Sequence, residues 1–249
     1  MNNLSFPAAG DTASIVAGID VLKQNHVRVS ACGMEIHVDP FRAEAAPRNA
    51  DFVLITHDHH DHFSLKDVES VACANTVLVV PENMRAKAAA AEGIVGKIVT
   101  VKPGEAYTVE GIAANVSAEQ AEGAAAENGC GAKLLELETV PSYNVGKPFH
   151  PRSAGWVGYV LKIAGQRVYI AGDTDATEEA AAVKCDVALV PAGGTYTMNA
   201  KQAAELVNRI RPRVAIPVHY GDIVGRAKDG ETFRDAVDEG IEVVLKIRF

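Results

Sequence analysis

Cysteine is scarce in this chain and thinly spread. Cys32, Cys73, Cys130 and Cys185 are its four thiols, and no two of them stand in a Cys-x-x-Cys pair. That distribution excludes a disulfide framework and predicts reduced, mostly buried thiols in a cytoplasmic protein. Positive charge is in deficit as well: 24 Lys and Arg face 32 Asp and Glu, a formal charge of −8. Neither nucleic acid nor an anionic membrane is an expected partner on that balance. Divalent cations bound to the chain would offset the charge locally and leave anionic substrates open. No apolar run approaches the roughly 20 residues needed to cross a bilayer. Met1 to Gly18 has neither a basic start nor a sustained apolar stretch, so no signal peptide is expected. Also missing are a repeat of fixed period, a dinucleotide fingerprint, and the lysine that a nucleotide-binding loop would need beside Gly193 and Gly194. Those glycines read as a tight turn before they read as an anion cradle.

What remains is an ordinary globular composition. Hydrophobic residues make up 48% and charged residues 22% of the 249, enough for one large core without disulfides, so residues 1–249 read as a single domain. Short Val- and Ile-rich runs bounded by Gly, Pro, Asp or Asn read as strands. Residues 13–21, 26–30 and 35–38 suggest an antiparallel meander, followed by strands over 51–56, 76–80, 98–101, 107–109 and 112–116. Helices are expected over 65–72 and 82–91, the latter for its run of alanines. The composition then shifts to Ala, Glu and Gly, which predicts a surface insertion at 117–132. Beyond it, strands at 134–140, 158–163, 167–171, 187–190, 214–218 and 243–247 alternate with helices at 176–184, 199–209 and 231–239. Asn199 and Gln202 have the spacing of a capping box. The pattern predicts an α/β fold, a sheet-rich core flanked by helices.

One segment carries chemistry. Thr56-His57-Asp58-His59-His60-Asp61-His62 gathers four of the eight histidines into six residues. It is internal, interrupted by acids and placed directly after a strand, unlike an affinity tag. Neutral imidazoles interleaved with carboxylates are the donors that borderline divalent metals require. Alternate side chains of an extended segment share a face, so His57 and His59 are placed to share one ion while Asp58 and His60 point away. A turn after them brings Asp61 and His62 to a second ion, and paired ions roughly 3.5–4 Å apart can hold a bridging hydroxide. Two further donors follow strands directly: Asp173 in Ala171-Gly172-Asp173-Thr174-Asp175, and His219 in Pro217-Val218-His219-Tyr220-Gly221. Either alone reads as a turn or structural residue. Beside the cluster, both read as ligands.

The segment His57-x-His59-x-Asp61-His62 resembles the metal signature of the metallo-β-lactamase superfamily. Tyr169-Ile170-Ala171-Gly172-Asp173-Thr174-Asp175 is similar to its aspartate motif, and Ile216-Pro217-Val218-His219-Tyr220-Gly221 to its last histidine motif. Pro141-Ser142-Tyr143-Asn144, Phe149-His150-Pro151 and Gly193-Gly194-Thr195-Tyr196-Thr197-Met198 resemble a branch of uncharacterised zinc-dependent hydrolases related to ascorbate-6-phosphate lactonases. The resemblance runs over roughly residues 14–225. It implies an αββα sandwich, two mixed sheets flanked by helices, with metals at one edge of the sheets. It implies His57 and His59 as ligands of a first metal, Asp61, His62 and His219 as ligands of a second, and Asp173 as the carboxylate bridging both. Asp39 resembles an early strand-end aspartate that orients a ligand histidine; a plain turn residue before Pro40 is the other reading. One position departs from the pattern. Asn144 stands where the superfamily supplies a third histidine to the first metal, and an amide oxygen is a poorer zinc ligand than imidazole. His150, six residues on, is expected either to complete that shell or to contact substrate.

These readings predict a metal-dependent hydrolase in which a metal-bound hydroxide attacks a carbonyl or phosphoryl centre of a small molecule, lactone, ester or amide substrates being favoured. A small-molecule phosphodiesterase is the alternative. From another class, a non-catalytic metal-binding protein retaining the fold is favoured by Asn144. Candidate catalytic residues are Asp61, to orient the nucleophile, and Asn144 and His150, which with Tyr196 are placed to hydrogen-bond the reacting oxygen. Tyr196 and Met198 are candidate pocket residues, core packing being the other reading. One or two divalent ions are expected, Zn2+ first, with Mn2+, Ni2+ or Fe2+ also suited to mixed His and carboxylate shells. A homo-oligomer is left open. Di-iron redox chemistry is disfavoured, because its users typically carry an acid at the position of His59 and no flavin-binding domain follows.

Overall fold

Val77, Leu78, Val79 and Val80 are all fully buried, and a strand that is apolar at every position needs cover on both faces. The computed structural model, which describes residues 12–43, 47–112 and 133–249, provides that cover twice over. The expected insertion at 117–132, most of the strand expected at 112–116, and Cys130 lie outside the described residues. The first sheet runs β1 (Ile19–Lys23), β2 (His26–Ala31), β3 (Met34–Val38), β4 (Phe52–Leu54), β5 (Val77–Pro81) and β6 (Lys97–Val101), each beside the next. Its first three strands pair antiparallel and β3 to β6 pair parallel. The second sheet begins with β7 (Ala106–Glu110), β8 (Leu134–Pro141), β9 (Val157–Ile163) and β10 (Gln166–Ile170), antiparallel to one another. It continues in parallel through β11 (Val187–Pro191), β12 (Val214–Val218) and β13 (Glu242–Val243). Both sheets are therefore mixed, as expected.

The period of two along each strand decides which layer a side chain joins. Val77 and Val79 meet Leu135, Tyr159, Ile170 and Leu189 between the sheets. Leu78 and Val80 point the other way, into a second layer with Val68 and Val71 of α2 (Leu65–Val71) and Ala88 of α3 (Arg85–Ala88). Across the sandwich, Ala188 and Val190 pack on the outer face against the helices that follow α4 (Glu178–Ala181), chiefly α5 (Ala200–Ile210) with its Ala203, Leu206 and Val207, and α6 (Asp229–Ala236). Each fully buried Leu or Val contributes about 1.5–3 kcal/mol, so the four layers hold one another. The capping box on α5 is present: Asn199 accepts from Gln202 N–H and the Gln202 side chain accepts from Asn199 N–H.

Several expectations need correcting. Residues 13–21 do not form one strand; a short helix, α1 (Thr12–Ala17), precedes β1. Gly18 separates them because a Cβ there would lie 2.3 Å from the Ser30 carbonyl oxygen, an approach only glycine permits. The helix expected over 82–91 is divided into 3-10 turns on either side of α3. The helix at 176–184 shortens to α4, started by its Thr177 cap, and the strand at 243–247 shortens to β13. The three described thiols are free but less buried than expected: Cys32 is exposed, and Cys73 and Cys185 are half-buried. Among the described residues no helix is long and apolar enough to cross a membrane.

Parallel strands in both sheets end at one common edge, the usual place for a ligand crevice in such sheets. Asp39 follows β3, His57 follows β4, Asp173 follows β10 and His219 follows β12; His150 lies in the connection from β8 to β9. Cross-sheet hydrogen bonds fix this edge. Tyr159 donates its hydroxyl to the Ile55 carbonyl at 2.7 Å. Val157 N–H reaches the Thr56 carbonyl at 3.2 Å, and His219 N–H reaches the Gln24 carbonyl at 2.9 Å.

Candidate metal centre

The chain leaves β4 at Ile55 and Thr56 and turns immediately, so the histidine cluster sits on the rim of the first sheet. His57 Nε2 and His59 Nδ1 lie 3.1 Å apart, converging as their spacing predicts. Asp58 turns outward to Lys87, 3.6 Å away, and His60 is exposed. His150 joins the converging pair: its ring lies 5.1 Å from that of His57 and 4.8 Å from that of His59. The donor atoms of His57, His59 and His150 form one compact group, and those of Asp61, His62 and His219 form another. In the second group, His62 Nε2 and His219 Nε2 are 3.3 Å apart, and Asp61 Oδ2 is 3.3 Å from His219 Nε2.

Asp173 spans the two groups. Its Oδ1 lies 3.4 Å from both His62 Nε2 and His219 Nε2, and its Oδ2 lies 3.4 Å from His150 Nε2. Donor separations of this size fit metal coordination: a tetrahedral shell with metal–nitrogen bonds near 2.0–2.1 Å has edges of about 3.3 Å. The hydrogen-bond inventory points the same way. His150 Nε2 and Asp173 Oδ1 are buried and have no hydrogen-bond partner, a costly state unless another group satisfies them.

Outer partners aim the rings. Asp39, fully buried, accepts Thr56 N–H at 2.7 Å, Thr56 Oγ1–H at 2.6 Å, Asn25 Nδ2–H at 2.7 Å and His62 Nδ1–H at 2.7 Å. That commits Nδ1 to Asp39 and aims His62 Nε2 at Asp61, Asp173 and His219, where it becomes the ligand atom once its proton is lost. The orienting reading of Asp39 therefore has its geometry, and its left-handed backbone (φ 47°) fits the turn reading too. Asn144 plays the matching part for the first group. Its Oδ1 accepts both the backbone N–H and the ring Nδ1–H of His150 at 3.0 Å each, and its Nδ2 donates to the Tyr196 carbonyl at 2.9 Å. With both ends of its amide engaged, Asn144 stands behind His150.

Charge in the cluster is divided unevenly. Burial, reinforced by the neighbouring His62, His150 and His59, pushes the His57 imidazole well below its ordinary value, and burial likewise lowers His59. Burial also opposes the charge on His62, yet Asp173 and Asp39 outweigh it and hold that imidazole well above the ordinary value. The same contest runs in reverse at Asp173, where His219 and His62 overcome burial and hold the carboxyl well below the usual range. At Asp61 the hydrogen bond from His219 and the charge of His62 overcome burial to bring the value down to about 2. The metal-free cluster thus keeps its carboxylates ionised and one proton on His62.

Tyr196 is partly exposed and packs on Phe149, whereas Met198 is buried in the outer core of the second sheet. Gly194, at φ 74°, donates to the Met198 carbonyl, as a tight turn requires. Gly193 has a different reason: a Cβ there would meet the His219 carbonyl oxygen at 2.3 Å. Sequence reasoning passed over Gln24, Asn25 and Thr56, which support the site, and Trp156, whose ring lies 5.0 Å from those of both His57 and His59. Thr56 adjoins the cluster, and Trp156 is the one tryptophan in the chain; Gln24 and Asn25 carry no signal beyond that of a hairpin turn.

Comparison with known proteins places these features. Residues 19–219 match the Beta-lactamase superfamily domain. A metal-dependent hydrolase of Aeropyrum pernix is 31% identical over 239 residues, covering 85% of this chain and 86% of that protein. One of Thermococcus onnurineus is 28% identical over 222 residues, covering 84% and 88%. The crystal structure of a candidate metal-dependent hydrolase from Parabacteroides distasonis superposes with a TM-score of 0.70 at 30% identity, over 92% of this chain and 91% of that one.

Proposed function

The chain belongs to the beta-lactamase superfamily and is a metal-dependent hydrolase, and on that premise we propose that it hydrolyses a lactone, ester or amide bond of a small molecule at a two-ion centre. The observation that carries the proposal is the span of Asp173, whose two oxygens face different histidine groups at 3.4 Å. His57, His59 and His150 would hold one ion, Asp61, His62 and His219 the other, and Asp173 both. Bound there, divalent ions supply a nucleophilic hydroxide near neutral pH and polarise the bond under attack. The side chains do the rest. Asp61, ionised at neutral pH, is the acceptor that orients the attacking water while remaining a ligand. His59 is the least buried of the three histidines in its group and marks the side from which substrate enters, while the Trp156 ring, 5.0 Å from those of His57 and His59 and 5.5 Å from that of His150, lays an apolar surface against the group. Asn144 and Asp39 contribute by fixing the His150 and His62 tautomers.

Asn144 had favoured a non-catalytic metal-binding protein; its hydrogen bonds to His150 account for it without that reading. Zinc as the metal and the cytoplasm as the location belong to the same proposal, the first on a nitrogen-rich donor set and the second on three free thiols. Metal analysis of protein purified without a tag, followed by a panel of lactones, esters and phosphodiesters, tests the reading. The expectation is two divalent ions per chain, turnover of carbonyl substrates above phosphodiesters, and loss of turnover in the doubly substituted His57→Ala, His62→Ala chain. Unchanged rates in that variant, or a chain without bound metal, would overturn it.

A further inference from the structure

Nine large apolar side chains stand exposed among the described residues, and three of them, Val145, Phe149 and Tyr196, belong to two loops that Asn144 ties together. Phe149 is 40% exposed and Tyr196 38% exposed; their rings meet at 90° with centroids 4.8 Å apart. Phe149 directly precedes His150, and the Tyr196 carbonyl accepts from the same Asn144 whose oxygen holds the His150 ring. The aromatic pair and the imidazole are therefore built as one unit: one peptide bond and the shared Asn144 amide join the exposed rings to the first donor group. Its electrostatics are equally informative. The loop spanning 142–156 has two cations, Lys147 and Arg152, and both are committed. Lys147 donates to Asp175 at 2.6 Å and to the Thr197 carbonyl at 2.7 Å, and Arg152 pairs with Glu179 at 2.6 Å. Residues 192–199, which carry Tyr196, include no Lys or Arg. A phosphate or carboxylate finds no free cation on either loop, whereas an apolar group finds two fixed ring faces.

We propose that the Phe149–Tyr196 pair is the specificity-determining subsite of this enzyme, selecting lactones, esters or amides that carry a neutral alkyl or aryl group beside the scissile bond. This rests on the hydrolase reading above. It also narrows that reading, because a phosphorylated sugar lactone is a poor match for a lip with no available cation.

Two chain-length series test it on the metal-loaded protein. Binding of n-alkyl hydroxamates from two to eight carbons is followed by Trp156 fluorescence, and kcat/KM is measured for p-nitrophenyl esters of the same lengths. In the native chain both should improve about two- to fourfold per added methylene, the range expected for partial to full burial of each CH2. Phe149→Ala and Tyr196→Ala should each flatten both series with metal content and Tm unchanged, and Phe149→Leu should keep most of the slope. A flat hydroxamate series in the native chain, or a slope that survives the double alanine variant, would overturn the proposal. A slope in binding without turnover of any ester supports the lip and strikes esters from the proposed substrates. Turnover indifferent to chain length does the reverse.

Discussion

Asn144→Ala removes a side chain that touches neither set of candidate donors except through His150. The native amide makes three hydrogen bonds, two to His150 at 3.0 Å and one to the Tyr196 carbonyl at 2.9 Å. Each is worth about 1 kcal/mol net, so the metal-free protein should lose at most about 3 kcal/mol, less where water enters the space. A second effect concerns aim. Without Oδ1 the His150 ring is free to rotate or to carry its proton on Nε2, and loss of such an outer partner typically weakens metal binding about 10–100-fold, or about 1.4–2.7 kcal/mol. Competition for Zn2+ against a chromophoric chelator resolves this: the weaker ion should be lost 10–100 times more readily, about the amount above, while the stronger stays within experimental scatter. Asn144→Asp keeps the acceptor and should recover most of the affinity. His150→Ala should abolish the first site, and adding Asn144→Ala to it should change metal binding no further, because Asn144 works through that ring. Fully additive losses in the double variant, or a native-like affinity in Asn144→Ala, would refute the reasoning.

Three further outcomes follow from the geometry. Gly193→Ala should displace His219 and lower its ion's occupancy, since the new methyl would meet backbone at 2.3 Å; native metal content in a folded variant would contradict this. His62 is held protonated in the metal-free cluster by Asp173 and Asp39 against the effect of burial, so metal should displace that proton and bind more tightly as pH rises. Calorimetry in two buffers of different ionisation enthalpy should count about one proton released, and none would argue against the charge distribution. Away from the centre, burial and the adjacent His37 bring His26 down to about 3 from an ordinary 6.5. The unfolded chain binds a proton there that the folded one refuses, so this contribution is fully present above pH 6.5 and is lost as pH falls toward about 3, by up to about 1.4 kcal/mol per unit. Urea midpoints of His26→Gln should fall less steeply with acid than those of the native protein over that window, and parallel curves would count against it.

Much of this architecture was legible because the signals are local. Val77 to Val80 announce a doubly covered strand, Asn199 and Gln202 announce a helix start, and His57, His59, Asp61 and His62 gather donors without help from the fold. Asp173 and His219 were readable from their places just past strands. The region around Asn144 was not. Its six-residue excursion closes on itself, with Asn144 N–H donating to the His150 carbonyl at 2.8 Å, and loop closure of that kind leaves no periodic trace. Counting from the end of β8 therefore reached Asn144, while the chain delivers His150 to the first donor group. Gln24 and Asn25 were hidden for a related reason: they reach Asp39 and His219 from the β1–β2 turn, and only tertiary packing brings that hairpin to the site. The helix before Gly18 was missed because six residues are too few for the two periods to be told apart.

The donors come from both halves of the sandwich, His57, His59, Asp61 and His62 from the first sheet and His150, Asp173 and His219 from the second. An ion seated among them is a removable rivet between layers that otherwise touch chiefly through oily contacts. Its free energy adds to that of folding as RT ln(1 + [M]/Kd), about 2.7 kcal/mol at a hundredfold excess over Kd, and it acts at the rim, where the sheets begin to part. Starving the protein of metal should therefore leave the interior intact and loosen this rim first. Proteases read such loosening, so the lifetime of the molecule becomes a record of the metal supply around it.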